Sequence, residues 1–311
     1  MLKRQTRLVE ILPSPPAPLP KGEGSVGSLS RRERVGVRER GFTLVEMIIV
    51  IVLTGIIGGV VAIFIRAPVQ GYVDSARRAE LTYIADTAVR RLARDVRTAV
   101  PNSVRFSNCT APCVEFIPTK NGGRYRADTP GDVLNFGAAD ASFDIVGSAI
   151  TFAAGDFVAV GSTQSDGSLP YSTAATGVLR AYAGAAGAQT NVSITNTAGF
   201  PATAALPSKR FDVVDGAQKA VTYACTGTLG TLDASGNGQG RLVRYANYGF
   251  NVAPAGTPAG TPAVLADRVS ACTIDYDLPS QRFGLVGIRL TLTSGNESVT
   301  LYHEVHVNNA P

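Results

Sequence analysis

One stretch constrains this chain more than any other. Phe42 to Ile65 is a run of 24 residues, nearly all apolar, with a single carboxylate at Glu46. At 1.5 Å per residue a helix of that length reaches about 36 Å, against roughly 30 Å of bilayer hydrocarbon. The run is long enough to span a membrane. Arg31, Arg32, Arg34, Arg38 and Arg40 precede it, and only Arg66 follows closely. That asymmetry predicts a cytoplasmic N-terminus, with residues beyond about 67 on the other side. An ordinary secretory signal is the competing reading. Its apolar region is shorter and ends in a small-residue cleavage site, whereas here the run passes into Arg66-Ala67-Pro68. An acid inside hydrocarbon is costly and usually functional, so Glu46 needs a reason.

The net charge of +5 first suggests an anionic partner. Residues 1–40 hold nine Lys or Arg against four Glu, so that segment alone accounts for the excess. From Gly41 onward 20 basic and 20 acidic residues cancel. No indication of nucleic-acid binding survives this arithmetic.

Gly41-Phe42-Thr43-Leu44-Val45-Glu46, behind a basic stretch and ahead of pure aliphatics, resembles the processing site of type IV prepilins and type II secretion pseudopilins. The resemblance implies cleavage after Gly41 by a prepilin peptidase/methyltransferase and N-methylation of the new terminus, Phe42. Glu46 then matches the family's glutamate at mature position five. The residues themselves support a role in assembly. A carboxylate in lipid needs a partner, and the freed ammonium of Phe42 on a neighbouring subunit is a candidate in the right layer. The alternative is that Glu46 sits at the interface and snorkels.

The phrases "RRLARDVRTAVPNSVR", "VEFIPTKNGGRYRA", "RLVRYANYGF", "LADRVSACTIDYD" and "GLVGIRLTLTSGNESVTLYHEVHV" are similar to O-type minor pilins of the mannose-sensitive haemagglutinin pilus system. The likeness leaves about 160–205 unmatched. It implies as partners other minor and major pilin subunits, the processing enzyme, an inner-membrane assembly platform, and membrane lipid before assembly. Leaders in this family are often short, whereas residues 1–30 are rich in Pro, Gly and Ser and read as disordered. That segment also resembles translated interspersed repeats of bacterial genomes. Val35 or Val37, as an alternative start, gives a compact leader.

After Pro68 the pattern turns amphipathic. At 100° per residue Leu81, Ile84, Ala85, Ala88, Val89, Leu92 and Val96 fall within an arc of roughly 140°. Arg90, Arg91, Arg94 and Arg97 lie largely opposite, with Asp86, and read as a solvated face. Asp95 intrudes at the edge of the apolar stripe. The helix is expected to end before Pro101, with Pro68 and Gly71 as sites of a kink or local unwinding. From about Asn102 the chain alternates apolar and polar residues in short runs. "CVEFIPTKNGGRYRA" reads as strand, Asn-Gly-Gly turn, strand. The stretches 162–190 and 226–240 read as long surface loops. The fold class is α+β: a long N-terminal helix, half membrane and half amphipathic, packed on an antiparallel β-rich head. The expected divisions are a leader over 1–41, a membrane and assembly helix over 42–67, an amphipathic helix over 68–100 and one sheet-based head over 101–311.

Cys109, Cys113, Cys225 and Cys272 all fall in the exported part, and an even number there suggests disulfides. Three full pairings are possible. We favour Cys109 with Cys113, closing the short loop "CTAPC", and Cys225 with Cys272, joining two predicted strands. A four-cysteine zinc site is the sharper alternative but lacks paired CxxC spacing. His303 and His306, three apart on a strand, point to opposite faces and do not converge on a metal. "DASGNGQG", Asp233 to Gly240, imitates a calcium loop through Asp233, Ser235, Asn237 and Gly238, but the twelfth position is Arg244 in place of the bidentate Glu. No phosphate-binding glycine motif and no supported nucleophile, base and orienting-acid set occur. The expectation is a structural subunit without cofactor or metal. A J-type minor pseudopilin of type II secretion is the alternative within the class. A membrane-anchored periplasmic binding module that never polymerises is the alternative outside it.

Overall fold

The computed structural model describes residues 41–106, 109, 112–162, 169–254, 256–275 and 284–307. The leader, with its arginines at 31–40 and the start positions Val35 and Val37, lies outside the described residues. The chain divides into two units, one ending at Val61 and one running from Ala62.

Helix α1 (Leu44–Arg97) runs for 54 residues and continues without a break through Pro68 and Gly71. The expected unwinding there does not occur. A proline removes one N–H from the ladder, and the turns on either side keep theirs. In the first unit α1 is exposed on all sides. In the second unit the stripe identified from periodicity is buried: Leu81, Ala85, Ala88, Val89, Leu92 and Val96, with Ala93 beside them. Arg90, Arg91, Arg94 and Arg97 are exposed, and Arg90 Nε donates to Asp86 at 2.7 Å.

Beyond the helix the chain enters β1 (Cys113–Phe116), then β2 (Thr119–Tyr125), β3 (Ser142–Val146), β4 (Ile150–Phe152) and β5 (Phe157–Val160). Three short strands follow: β6 (Leu179–Ala181), β7 (Gly187–Gln189) and β8 (Asn191–Ser193). Then come β9 (Arg210–Val214), β10 (Val221–Leu232), β11 (Gly238–Ala246), β12 (Ala263–Asp275), β13 (Leu285–Ser294) and β14 (Glu297–His306). Two six-stranded sheets result, ordered β1-β10-β11-β12-β13-β14 and β6-β5-β9-β2-β3-β8, with β4 and β7 paired separately. All strand pairs are antiparallel.

The β-rich part of the chain is thus built from two six-stranded sheets. The chain leaves the first sheet after β1, builds the whole second sheet, and returns at β10 to pair Glu115 with Thr222. The departure falls at Ile117-Pro118, where proline cannot extend a ladder. It does not fall at Asn121-Gly122-Gly123, which lies inside β2. Gly123 is demanded by packing: a Cβ there would sit 2.5 Å from Ile150 Cδ1 and 3.1 Å from Phe211 Cε1. Each sheet has its own core. The helix stripe packs with Phe116, Tyr223, Leu242, Val269, Ile288 and Leu290 of the first sheet. Phe143, Phe152, Val158, Phe200 and Phe211 fill the second.

Three polar anchors hold these layers. Asp95, the intruder on the apolar stripe, accepts from Tyr223 Oη at 2.7 Å and from Arg244 Nε at 2.9 Å, so it pins α1 to β10 and β11. Arg105 and Glu115 form a buried ion pair at 2.9 Å. Tyr248 Oη donates to Glu115 at 2.9 Å, and the guanidinium lies 3.5 Å from the Tyr171 ring centroid. Arg180 is buried and forms no ion pair among the described residues. Its guanidinium donates to the carbonyls of Ala174, Gly177, Leu179 and Gly199, and to Asn196 Oδ1 at 2.7 Å. Burial lowers its pKa from the usual guanidinium range. This one cation ties the stretch 174–179 to Asn196 and Gly199, and part of the expected loop at 162–190 is thereby built into the second sheet as β6. The expected loop at 226–240 is likewise the β10–β11 hairpin, closed by a turn at Asp233–Asn237.

Candidate processing and assembly site

The N-terminal site is built from local backbone chemistry. Helix α1 starts at Leu44, and Thr43 caps it: its Oγ1 accepts from the Glu46 N–H at 3.2 Å, while its carbonyl accepts from the Met47 N–H at 3.2 Å. Thr43-x-x-Glu46 has the spacing of a capping box, in which the acid at the third helical position can turn back toward the cap. An acid in the first turn also favours the positive end of the helix dipole. Phe42 and Met47 occupy the two positions of a hydrophobic staple. Thr43 and Glu46 thus have a role in starting the helix that the charge argument alone did not reveal, although the T-x-x-E signal was present in the sequence.

Gly41 is exposed, and a Cβ placed on it meets nothing within 4 Å. The fold of this chain makes no demand for glycine at that position. Phe42 is 76% exposed and Glu46 is exposed. The apolar residues that follow are also unburied, and α1 contains a stretch long and apolar enough to cross a membrane. Within it the Thr54 hydroxyl donates back to Val50 O at 2.6 Å, which removes its need for water.

The other residues singled out from sequence lie in the head. Cys109 is bonded to Cys113 and Cys225 to Cys272, with Cα separations of 6.2 and 6.4 Å. The second bond crosses from β10 to β12. His303 and His306 fall on opposite sides of β14, one half-buried and one exposed. Asp233 Oδ1 accepts from the N–H groups of Ser235 and Asn237, at 2.8 and 2.9 Å, and these bonds hold its carboxylate below the usual range. Its oxygens serve the hairpin turn. Among the described residues no group of three or more His, Cys, Asp or Glu side chains converges as metal ligands.

Neither curated proteins nor solved structures returned a match to this chain. A family profile did: residues 37–62 match the prokaryotic N-terminal methylation motif. The matched segment contains Gly41, Phe42, the Thr43 cap, Glu46 and the start of the apolar run. The chain carries the methylation motif of the type IV pilin class, which supports a place in the pilin and pseudopilin superfamily.

Proposed function

We propose that this protein is a minor pilin-like structural subunit, cut after Gly41, methylated on Phe42, and assembled into a fibre through its N-terminal helix. The match of the methylation motif to residues 37–62 carries this reading. The cap at Thr43 supports it. Cleavage between Gly41 and Phe42 leaves Thr43 and Glu46 in the mature chain, so the helix keeps its start signal after the leader is gone. The freedom around Gly41 supports it too, because a requirement for glycine there must come from a partner such as the peptidase.

In this reading the head is periplasmic, as the arginines ahead of the apolar run favour, and the subunit waits in the inner membrane. Glu46 then meets the Phe42 ammonium of a neighbour. The C-terminal phrases favour a pilus of the mannose-sensitive haemagglutinin type over a type II secretion pseudopilus. Mass spectrometry of the mature protein is the direct test. The expected terminus is N-methyl-Phe42, and replacement of Gly41 by a bulky residue should leave the precursor uncut. A mature terminus elsewhere removes the basis of the proposal. An intact, uncut chain favours the non-polymerising membrane-anchored module instead.

A further inference from the structure

On the second sheet the Asp212 carboxyl has no partner among the described residues. Asp212 of β9 lies between Gly122 of β2 and Ala159 of β5, its direct cross-strand neighbours. Neither has a side chain that can donate to it. A Cβ added at Gly122 would lie 3.1 Å from Asp212 Oδ1, so the bare glycine leaves that oxygen open to approach. Glycine inside a strand often marks such an approach. Asp212 makes no hydrogen bond or ion pair among the described residues. Burial pushes its carboxyl up to about 6, and the charge of Arg210, two residues away on the same face, only partly opposes this.

Asp212 lines a cleft of about 150 Å³ together with Arg97, Thr98, Thr119, Ser162 and Arg210. The walls are held by hydrogen bonds. Thr119 donates to Thr98 O from both its N–H and its hydroxyl, at 2.7 and 2.8 Å, and Asn102 Nδ2 donates to Ser162 O at 2.7 Å. These contacts tie the end of α1 to β2 and to the segment after β5. Ser162 is 3% exposed, and its Oγ meets no partner among the described residues. The cleft thus joins a buried hydroxyl without a partner among the described residues to a half-buried carboxyl that makes no internal hydrogen bond there, and a buried group left unsatisfied is something native proteins ordinarily avoid.

The surrounding charge has one sign. Arg124 stands directly opposite Arg210 across the β2–β9 pair, and both line the adjoining depression over Gly122. Like charges placed opposite one another on paired strands repel. Arg97, Arg124 and Arg210 form no ion pair among the described residues. Guanidinium pairs suit a carboxylate, while Asp212 calls for hydroxyl donors and Ser162 for a hydroxyl of either sense. A volume of about 150 Å³ matches a bare six-membered ring, and the adjoining depression lined by Arg124 and Arg210 leaves room for ring substituents.

We infer that this cleft binds a hydroxylated six-membered ring bearing a carboxylate, the chemistry of a uronic acid, either as the free sugar or as the end of an acidic polysaccharide. The ring carboxylate pairs with the guanidiniums of Arg97 and Arg210. Ring hydroxyls donate to Asp212 and bond Ser162 Oγ. The site lies in the head, and its test does not depend on processing at Gly41.

Isothermal titration of the full chain in detergent with galacturonate, galactose and trigalacturonate tests the assignment. Galacturonate should bind saturably and at least about tenfold more tightly than galactose. Asp212→Asn and Arg97→Ala should each weaken it by about tenfold or more, with thermal unfolding confirming that both variants are folded. Ser162→Ala should also weaken binding without lowering the melting temperature, because its hydroxyl has no internal partner. Tighter binding of the trimer assigns the polymer end, and equal binding assigns the free sugar. No saturable binding of galacturonate, equal binding of galactose, or unaltered affinity in folded Asp212→Asn and Arg97→Ala overturns the inference.

Discussion

Replacing Asp212 with Asn should stabilise the head at neutral pH. The carboxyl has a pKa of about 6 in the folded chain, against 3.8 as its ordinary value. At neutral pH both folded and unfolded chains are ionised, so the folded state bears the whole penalty of the buried charge. At about 1.36 kcal/mol for each tenfold change in acidity, that penalty is about 3 kcal/mol. The sign follows from proton counts. Between about pH 4 and pH 6 the folded chain binds more protons than the unfolded one, so this group's contribution to stability falls as pH rises through that window. Below about pH 3 both states are protonated and the penalty disappears. Asn keeps the shape and drops the charge. It should therefore gain about 3 kcal/mol near pH 7.5, equivalent to a melting-temperature rise of about 6–12 °C, and almost nothing near pH 3. Hydrogen bonds hold Asp144, Asp233 and Glu297 below the usual range, so they contribute in the opposite sense. Only the difference between variant and wild type isolates Asp212. With no tryptophan in the chain, the near-UV circular dichroism of the tyrosines, followed on heating at several pH values, is the suitable readout. A gain independent of pH, or a loss near pH 7.5, would refute the unpaired carboxylate.

Asp95→Ala should destabilise the packing of α1 on the first sheet by about 2–4 kcal/mol, because it strips Tyr223 Oη and Arg244 of a shared acceptor; urea unfolding that shifts by less than about 0.5 kcal/mol contradicts the anchor. Replacing Cys225 and Cys272 together with Ala should cost about 3–4 kcal/mol, from the loop of 47 residues that their bond closes. Alkylation without reductant should meanwhile find no free thiol in protein from the periplasm, and four alkylated cysteines would sink that expectation. Glu46→Gln and Glu46→Ala should both be inserted and cut after Gly41. Gln can still serve the capping box while Ala cannot. Depletion of both variants from co-purified subunit complexes marks the charge as the assembly contact, whereas rescue by Gln alone reassigns Glu46 to helix initiation.

The helix was the most legible part of the chain because its information is local. Seven stripe positions could be placed from periodicity, and the misfit of Asp95 was visible as an anomaly. Its explanation was not, since Tyr223 and Arg244 come from strands more than a hundred residues later. The same distance problem hid the second sheet. Asn121-Gly122-Gly123 has turn composition, yet its glycines answer to Phe211, Asp212 and Ile150, which arrive from β9 and β4. The stretch around 174–181 looked like a loop because small residues fill it, and Arg180 supplies its order through carbonyls that no pattern of residue types marks. At the N-terminal site the residues are legible one by one, but the hydrogen bond that joins Thr43 to the Glu46 N–H depends on where the helix begins. The cleft at Asp212 could not be read at all. It exists only where the end of α1, β2, β5 and β9 meet.

The return of the chain from the second sheet to the first sets an order in time. The apolar face of α1 from Leu81 to Val96 is synthesised early, yet apart from β1 the strands that cover it begin only at Val221. Strand β1 is also made early and has no neighbour in its sheet until β10 appears. While the chain emerges from N- to C-terminus, the second sheet can collapse on its own core first, and the helix face must wait with its leucines and valines bare. Contacts of such long sequence separation form slowly. During that wait the chain has a hydrophobic face and an open strand edge available for wrong partners. A tether that keeps each copy in place while its last five strands arrive would limit such encounters, and the apolar run from Phe42, long and apolar enough to cross a membrane, is suited to that use as well as to the proposed assembly.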